Sequence, residues 1–242
     1  ETTEAQRILL MKSDELELLI RAKNPIISLE TPDEPRAVQV VRDVVTKMKR
    51  PLAEWSVTEG LVTAPPSARS ELVKAGAILP ALRHVRDSSY PIVYLFKDIA
   101  PLCADAQVAR FLRDLYFSPD SRLWTLILVD SGGLPPTTRR LTVPFDVGWP
   151  DEEAMKQGVQ ESLSEAADRG MTEIRVKLSN RQMDQLVQML RGMTAAEAGR
   201  LVAAAVQDDN VLDVDDLGRV MDAKRNRLST MGCLETIAAD VA

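Results

Sequence analysis

Three almost wholly apolar runs constrain the fold of this 242-residue chain more than any other feature of its sequence. The first lies within the predicted strand Pro25–Thr31, and the other two are Ile92–Phe96 and Leu123–Val129. None shows the polar–apolar alternation of a strand with one face in water, so we expect each to be a strand that is covered on both faces. After the first run, residues such as Val38 and Val41 fall at helical spacing, which predicts a helix between consecutive strands.

Two further strands complete the predicted sheet. They are Leu52–Val57, before the second apolar run, and Leu141–Val147, after the third. Thr58–Arg69, between Leu52–Val57 and the next helix, is polar with two adjacent prolines and is predicted to be a loop. Because predicted strands alternate with predicted helices, we expect residues 1–150 to form an α/β domain with a five-stranded parallel sheet sandwiched by helices.

Helical patterns replace the strands after Pro150, which makes this position the best domain boundary. Thr194 and Asp213 each precede apolar residues at helical spacing and are predicted helix N-caps. Apart from a short strand, Ile174–Val176, residues 151–242 are therefore expected to form a second, smaller domain that is otherwise all-helical.

Composition and charge exclude several classes of function. A net charge of −6 and a pI near 5.0 argue against nucleic-acid binding, which depends on basic surface. No apolar stretch approaches the roughly 20 residues of a membrane span. Cys103 and Cys233 are far apart in sequence and are interpreted as reduced thiols of a cytoplasmic protein. The chain begins with Glu1 and ends without an obvious stop signal at Ala242, so a processed form and a fragment are both open.

The junction after the first strand determines whether this sheet edge can bind a phosphate. A phosphate-binding loop needs glycine to curl the backbone and free N–H groups to donate. The segment Thr31–Arg36 contains no glycine, and Pro32 and Pro35 remove two donors. Asp33 and Glu34 would repel an anion and suit a helix N-terminus instead. No Gly-Lys pair occurs anywhere in the chain, so we expect a nucleotide-binding architecture that lacks its phosphate loop.

The other positions where such a site would hold magnesium and water also depart from the required chemistry. An adjacent acidic pair should follow a buried strand, but the strand here ends in Lys97, Asp98 and Ile99. We interpret Asp98 as a hydrogen-bonding residue at the strand end, and the alternative is a metal contact. Asp130 follows the next strand, where a carboxylate would repel a γ-phosphate, and we predict that it caps a turn. No His/Cys cluster has zinc spacing, so no metal site is expected.

Several segments resemble the N-terminal region of a family of AAA+ ATPases that was first noted as a hypothetical reading frame in plastid genomes. The α/β domain followed by a small helical domain is also similar to the AAA+ plan, and this resemblance implies that residues 151–242 form an all-helical lid. The segment Trp55–Leu61 is the most distinctive. The matching segments, spread over nearly the whole chain, are Glu15–Arg21, Pro25–Ile27, Arg50–Leu61, Phe96–Asp98, Leu134–Pro136, Leu212–Leu217 and Gly232–Glu235.

The resemblance implies that a catalytic AAA+ module begins just beyond Ala242. ATP and magnesium would then be cofactors of that downstream module, and this chain would bind none. The implied partners are the C-terminal module of the same protein, further copies in a homo-oligomeric ring and an unknown protein client. The expected function is that of a non-catalytic regulatory or assembly region of an ATPase. The alternative is a free-standing protein–protein interaction module with a nucleotide-binding-like fold and no ATPase activity.

Arg139 and Arg140 are the residues to which the resemblance assigns a role. AAA+ proteins place an arginine that reaches a neighbour's ATP near the start of the fifth strand, where these two residues lie. Such an arginine can act in trans even when its own domain lacks catalytic residues. The alternative is a solvated pair at the start of a strand.

Overall fold

The computed structural model of the chain describes residues 4–170, 174–206 and 208–230. It divides into two compact units, Glu1–Gly148 and Trp149–Ala242. Cys233, one of the two thiols considered above, lies outside the described residues. None of the helices in the described ranges is long and apolar enough to cross a membrane.

The main sheet of the first unit has seven strands, which are β1 (Ile26–Glu30), β2 (Leu52–Ser56), β3 (Gly60–Ala64), β4 (Glu71–Val73), β5 (Ile92–Lys97), β6 (Trp124–Asp130) and β7 (Val143–Pro144). Their order across the sheet is β4-β3-β2-β5-β6-β1-β7. All pairs from β2 to β7 in this order are parallel, whereas β3 runs antiparallel to both β2 and β4. The predicted α/β class with a largely parallel sheet is confirmed.

The predicted number of five strands is wrong, because the segment Thr58–Arg69 contains a strand. Residues 60–64 pair with β2 through a tight turn, and β4 then adds to the free edge of β3. Gly60 makes this possible with a φ of +74°, and a side chain there would clash with the backbone at the end of β4. The two prolines after Ala64 favoured the prediction of a loop, although the strand ends just before them.

The predicted last strand, Leu141–Val147, is also shorter than expected. Leu141 and Thr142 still donate backbone hydrogen bonds to the preceding turn. Only Val143 and Pro144 pair with β1, and Phe145 donates one further bond, to Ser28, at 2.8 Å. Pro144 has no N–H, which suits an edge strand and limits the length of the ladder.

The sheet is covered on both faces by helices. The helices of the first unit are α1 (Glu4–Arg21), α2 (Glu34–Lys47), α3 (Ile78–Arg86), α4 (Ala106–Tyr116) and the short α5 (Pro136–Arg139). Helices α1 and α2 pack on one face, against Ile27, Val93 and Ile127, among others. Helices α3 and α4 pack on the other, against residues that include Tyr94 and Leu126. The apolar runs are therefore continuous because successive side chains of one strand enter two different cores.

The second unit is mainly helical. Its helices are α6 (Glu152–Gly170), α7 (Asn180–Leu190), α8 (Ala195–Ala205) and α9 (Val214–Thr230). Thr194 caps α8 as predicted, in a capping box with Glu197, and Asp213 accepts a hydrogen bond from the first turn of α9. The unit is not wholly helical, because β8 (Arg175–Val176) pairs in parallel with β9 (Val211–Leu212).

Helices α6 and α8 approach each other closely at two glycines. A Cβ atom on Gly199 would lie 2.6 Å from the carbonyl oxygen of Gly158, and one on Gly158 would lie 2.7 Å from the Cβ of Ala195. Distances this short are not tolerated between real atoms, so the crossing depends on the absence of both side chains.

We predict that Gly199→Ala lowers the free energy of unfolding of the second unit by about 1–3 kcal/mol, since overpacking forces the two helices apart. Gly218→Ala in α9 is the matched control. No atom lies within 4 Å of the Cβ it would add, and alanine is the better helix former by about 1 kcal/mol. Urea unfolding followed by circular dichroism measures both changes, and equal stability of the two variants would contradict the proposed crossing.

Candidate functional site at the carboxyl edge of the sheet

The carboxyl ends of β1, β5 and β6 meet at one edge of the sheet, where parallel α/β domains bind ligands. Glu30 is in register with Asp130, and Lys97 with Val129. The predicted residues Asp33, Glu34, Lys97, Asp98 and Asp130 are thus all gathered at or next to this edge. A pocket of about 550 Å³ lies here and is lined by Asp98, Ala100, Pro101, Asp130, Ser131, Gly132, Gly133, Leu134 and Pro135.

The β1–α2 junction is closed by the chain's own carboxylate. Asp33 is buried and is the N-cap of α2, where its side chain accepts a hydrogen bond from the backbone N–H of Arg36 at 3.3 Å. The backbone N–H of Asp33 itself donates to the Thr31 hydroxyl at 3.1 Å. Pro35, in the first turn, has no N–H to offer. The Asp33 carboxylate therefore already occupies the position where the helix dipole would attract an anion.

Lys97 lies among carboxylates instead of facing an open phosphate site. Its Nζ is 3.7 Å from a carboxylate oxygen of Glu34 and 4.0 Å from one of Glu54. Glu54 is almost fully buried in β2 and receives two hydrogen bonds from Arg42, from Nε at 2.8 Å and from Nη2 at 3.0 Å. The Lys97 charge is thereby neutralised within the fold.

Sequence reasoning missed Arg42 as a partner of Glu54. The available signal was a glutamate in the middle of an otherwise apolar strand, since buried glutamate is rare unless it is paired. Arg42 precedes it by 12 residues, on the helix that packs over the same face of the sheet.

Asp130 connects two loops at the floor of the pocket. It is buried, and its carboxylate accepts hydrogen bonds from the backbone N–H of Ala100 at 2.6 Å and of Gly132 at 3.1 Å. Asp98 is exposed, has a φ of +54°, and donates its backbone N–H to Val129 at 3.0 Å. Among the described residues, no three His, Cys, Asp or Glu side chains converge in a way that could hold a metal ion.

Arg139 and Arg140 lie in or just after the short helix α5, and their environments differ. The Arg139 guanidinium binds the Glu30 carboxylate with two hydrogen bonds, Nε to Oε1 at 2.9 Å and Nη2 to Oε2 at 2.8 Å. Arg140 is exposed, and no ion pair involves it within the described part of the chain. The structure thus gives Arg139 and Arg140 different environments, which the sequence alone could not distinguish.

The nearby thiol is part of the core. Cys103 lies in the 3₁₀ segment Ala100–Ala104, which follows β5. It is a free, buried cysteine, and burial raises the pKa of its thiol above the ordinary range. A buried thiol of this kind is a packing group and a poor nucleophile.

Sequence comparisons connect both units to one group of proteins. The profile described as "SpoVK-like AAA ATPase, N-terminal domain" matches residues 12–147, more than half of the chain, and the second-domain profile matches residues 153–230. Two curated relatives are both called "uncharacterized AAA domain-containing protein ycf46". The one from Trieres chinensis is 19% identical over 228 residues, and the one from Guillardia theta is 23% identical over 236. These matches cover 92% and 91% of this chain but only 44% and 42% of the relatives, so the chain spans less than half of their length.

Solved structures support the same fold. The AAA domain of FIGL-1 in complex with ADP has a TM-score of 0.55 and 17% identity, over 97% of this chain and 89% of that one. C. elegans PCH-2 has a TM-score of 0.54 and 11% identity, over 94% of this chain and 71% of that one. The predicted AAA+-like architecture is confirmed by these similarities.

We predict that Arg42→Met lowers the free energy of unfolding by about 2–4 kcal/mol, because it leaves the buried Glu54 carboxylate without its two hydrogen-bond donors. Arg113→Met, on the exposed side of α4, is the control and should change stability by less than about 0.5 kcal/mol. Guanidinium unfolding monitored by tryptophan fluorescence measures both, since Trp55 and Trp124 lie in this unit. An Arg42 variant as stable as the control would show that Lys97 alone satisfies Glu54.

Proposed function

Because the chain belongs to the SpoVK-like AAA ATPase family, we propose that it is the non-catalytic N-terminal assembly region of a longer ATPase. In this proposal the ATP-hydrolysing module follows Ala242, and ATP and magnesium are bound there. The lengths of the two curated relatives, more than twice the matched region, support a further segment. Both matched profiles, an N-terminal domain and a second domain, are consistent with a region that precedes such a module.

The self-capped β1–α2 junction is the observation that carries the proposal. Phosphoryl transfer from ATP depends on a lysine and backbone donors that hold the β- and γ-phosphates, together with a hydroxyl that binds magnesium. At this junction the helix start is occupied by Asp33, and Lys97 is engaged by Glu34 and Glu54. A phosphate that approached this junction would have to displace the Asp33 carboxylate, which belongs to the chain itself. It would also meet the carboxylates of Glu34 and Glu54.

The proposed assembly contact pairs groups of opposite charge. Arg140 is exposed next to α5 and forms no ion pair among the described residues, whereas the carboxyl edge of the sheet bears the exposed Asp98 and the half-exposed Glu34. In a homo-oligomeric ring, heterologous contacts join different faces of identical subunits. We propose that Arg140 of one subunit faces the acidic edge of the next, or the nucleotide of the downstream module. The client protein would be engaged by the intact assembly in the cytoplasm, without nucleic acid or membrane.

We predict that the purified 242-residue chain neither binds nor hydrolyses ATP in the presence of magnesium. Isothermal titration with ATP and with ADP, together with a phosphate-release assay, provides the measurement. Turnover that Lys97→Ala or Asp98→Ala abolishes would overturn the proposal, because it would place catalysis at this edge of the sheet.

We also predict that Arg140→Ala weakens assembly of the intact protein, meaning this chain together with the sequence that follows it. Truncating one partner of a charge pair that is buried in an interface costs about 2–5 kcal/mol. Thermal stability of the 242-residue chain should be unchanged, because exposed arginines contribute little to folding. Sedimentation velocity of Arg140→Ala beside the exposed control Arg83→Ala measures the effect. Wild-type assembly and ATPase activity in Arg140→Ala would return this residue to the solvated surface.

A further inference from the structure

The Glu30–Arg139 ion pair joins two segments that are 109 residues apart in the chain. Glu30 is the last residue of β1, and Arg139 ends α5. The pair is two-pronged, with distances of 2.9 and 2.8 Å, which is the geometry in which arginine binds a carboxylate most selectively. The backbone N–H of Leu134 adds a longer bond of 3.4 Å to the same carboxylate.

The loop between β6 and α5 is shaped around this ion pair. Gly133 has a φ of +73°, and a Cβ atom there would lie 3.0 Å from the Arg139 Nη2 and 3.3 Å from the Glu30 Oε2. Any side chain at this position would therefore press on both charged groups. We refer to Glu30, Gly133, Leu134 and Arg139 together as the β1 latch.

The β1 latch is nevertheless accessible from solvent. The side chain of Arg139 is 53% exposed and that of Glu30 is 35% exposed. Water and salt screen ion pairs at such exposure, so their net effect on an equilibrium is about fivefold or less. Once other contacts hold a second molecule in place, one of its carboxylates can therefore compete with Glu30 for Arg139.

We propose that the β1 latch is an autoinhibitory contact, in which Glu30 withholds Arg139 from a carboxylate of a second copy of this chain. Arg140, the next residue, forms no ion pair within the part of the chain that the structure describes, whereas Arg139 must first leave Glu30. Assembly through α5 is then set by a competition between an internal and an external acid. This inference rests on the proposed assembly role of Arg140.

The test measures assembly of the intact protein by sedimentation velocity over a range of concentrations. Glu30→Gln keeps the shape of the side chain but removes its charge, so the dissociation constant for assembly should fall about twofold to fivefold at low salt. The gain should shrink as the salt concentration rises, because screening weakens the contacts that Arg139 makes with the partner. In the double variant Glu30→Gln/Arg139→Gln the gain should be lost, since it depends on the freed guanidinium.

Other results separate this inference from the proposed function. Assembly of Glu30→Gln equal to or weaker than wild type, with Arg140→Ala still weakened, would overturn the latch and leave the assembly role intact. No change in either variant would overturn both. Circular dichroism and thermal unfolding check that Glu30→Gln is folded. If it is not, Glu30→Asp replaces it, because the shorter side chain cannot reach both Arg139 nitrogens and should give a smaller gain in the same direction.

Discussion

Burial of the central strands on both faces is the constraint on which the rest of the first unit depends. Because β1, β5 and β6 send alternate side chains into two separate cores, helices must cover both sides of the sheet. Parallel pairing follows, since each strand returns to the sheet only after a helix. Parallel strands in turn bring their carboxyl ends, and the polar residues that follow them, to a single edge. The site geometry is thus a consequence of where the apolar side chains lie.

The same constraint explains which parts of the fold the sequence could predict. Ile92–Phe96 and Leu123–Val129 are long enough and apolar enough to indicate buried strands by composition alone. The strand of residues 60–64 could not be predicted in this way, because its register depends on a tight turn at Gly60 and on pairing with β2. Likewise, the pairing of Val143 and Pro144 alone reflects a turn that continues past Leu141, and this turn depends on contacts that no local pattern records.

The site was predictable to a similar degree. The absence of glycine from Thr31–Arg36 and the presence of acidic residues there can be seen directly in the sequence. Their place at the carboxyl edge of the sheet follows because a β–α junction lies at that edge in any parallel α/β sheet. What could not be predicted was how the charges pair. Glu30 and Arg139 are separated by more than 100 residues, and Lys97 meets Glu34 and Glu54 only because β5, α2 and β2 come close to one another in the folded chain. Ion pairs of this kind depend on distances that exist only in the folded chain.

The N-cap of α2 has one more consequence. A diffusing anion occupies a helix start in proportion to its concentration and affinity, whereas the Asp33 carboxylate is tethered three residues from the amide that it binds. Its effective concentration at this amide is fixed by the short segment that joins the two residues. The start of α2 therefore keeps the same electrostatic environment at any concentration of phosphate or ATP in the cell, and the capping of the helix does not depend on either.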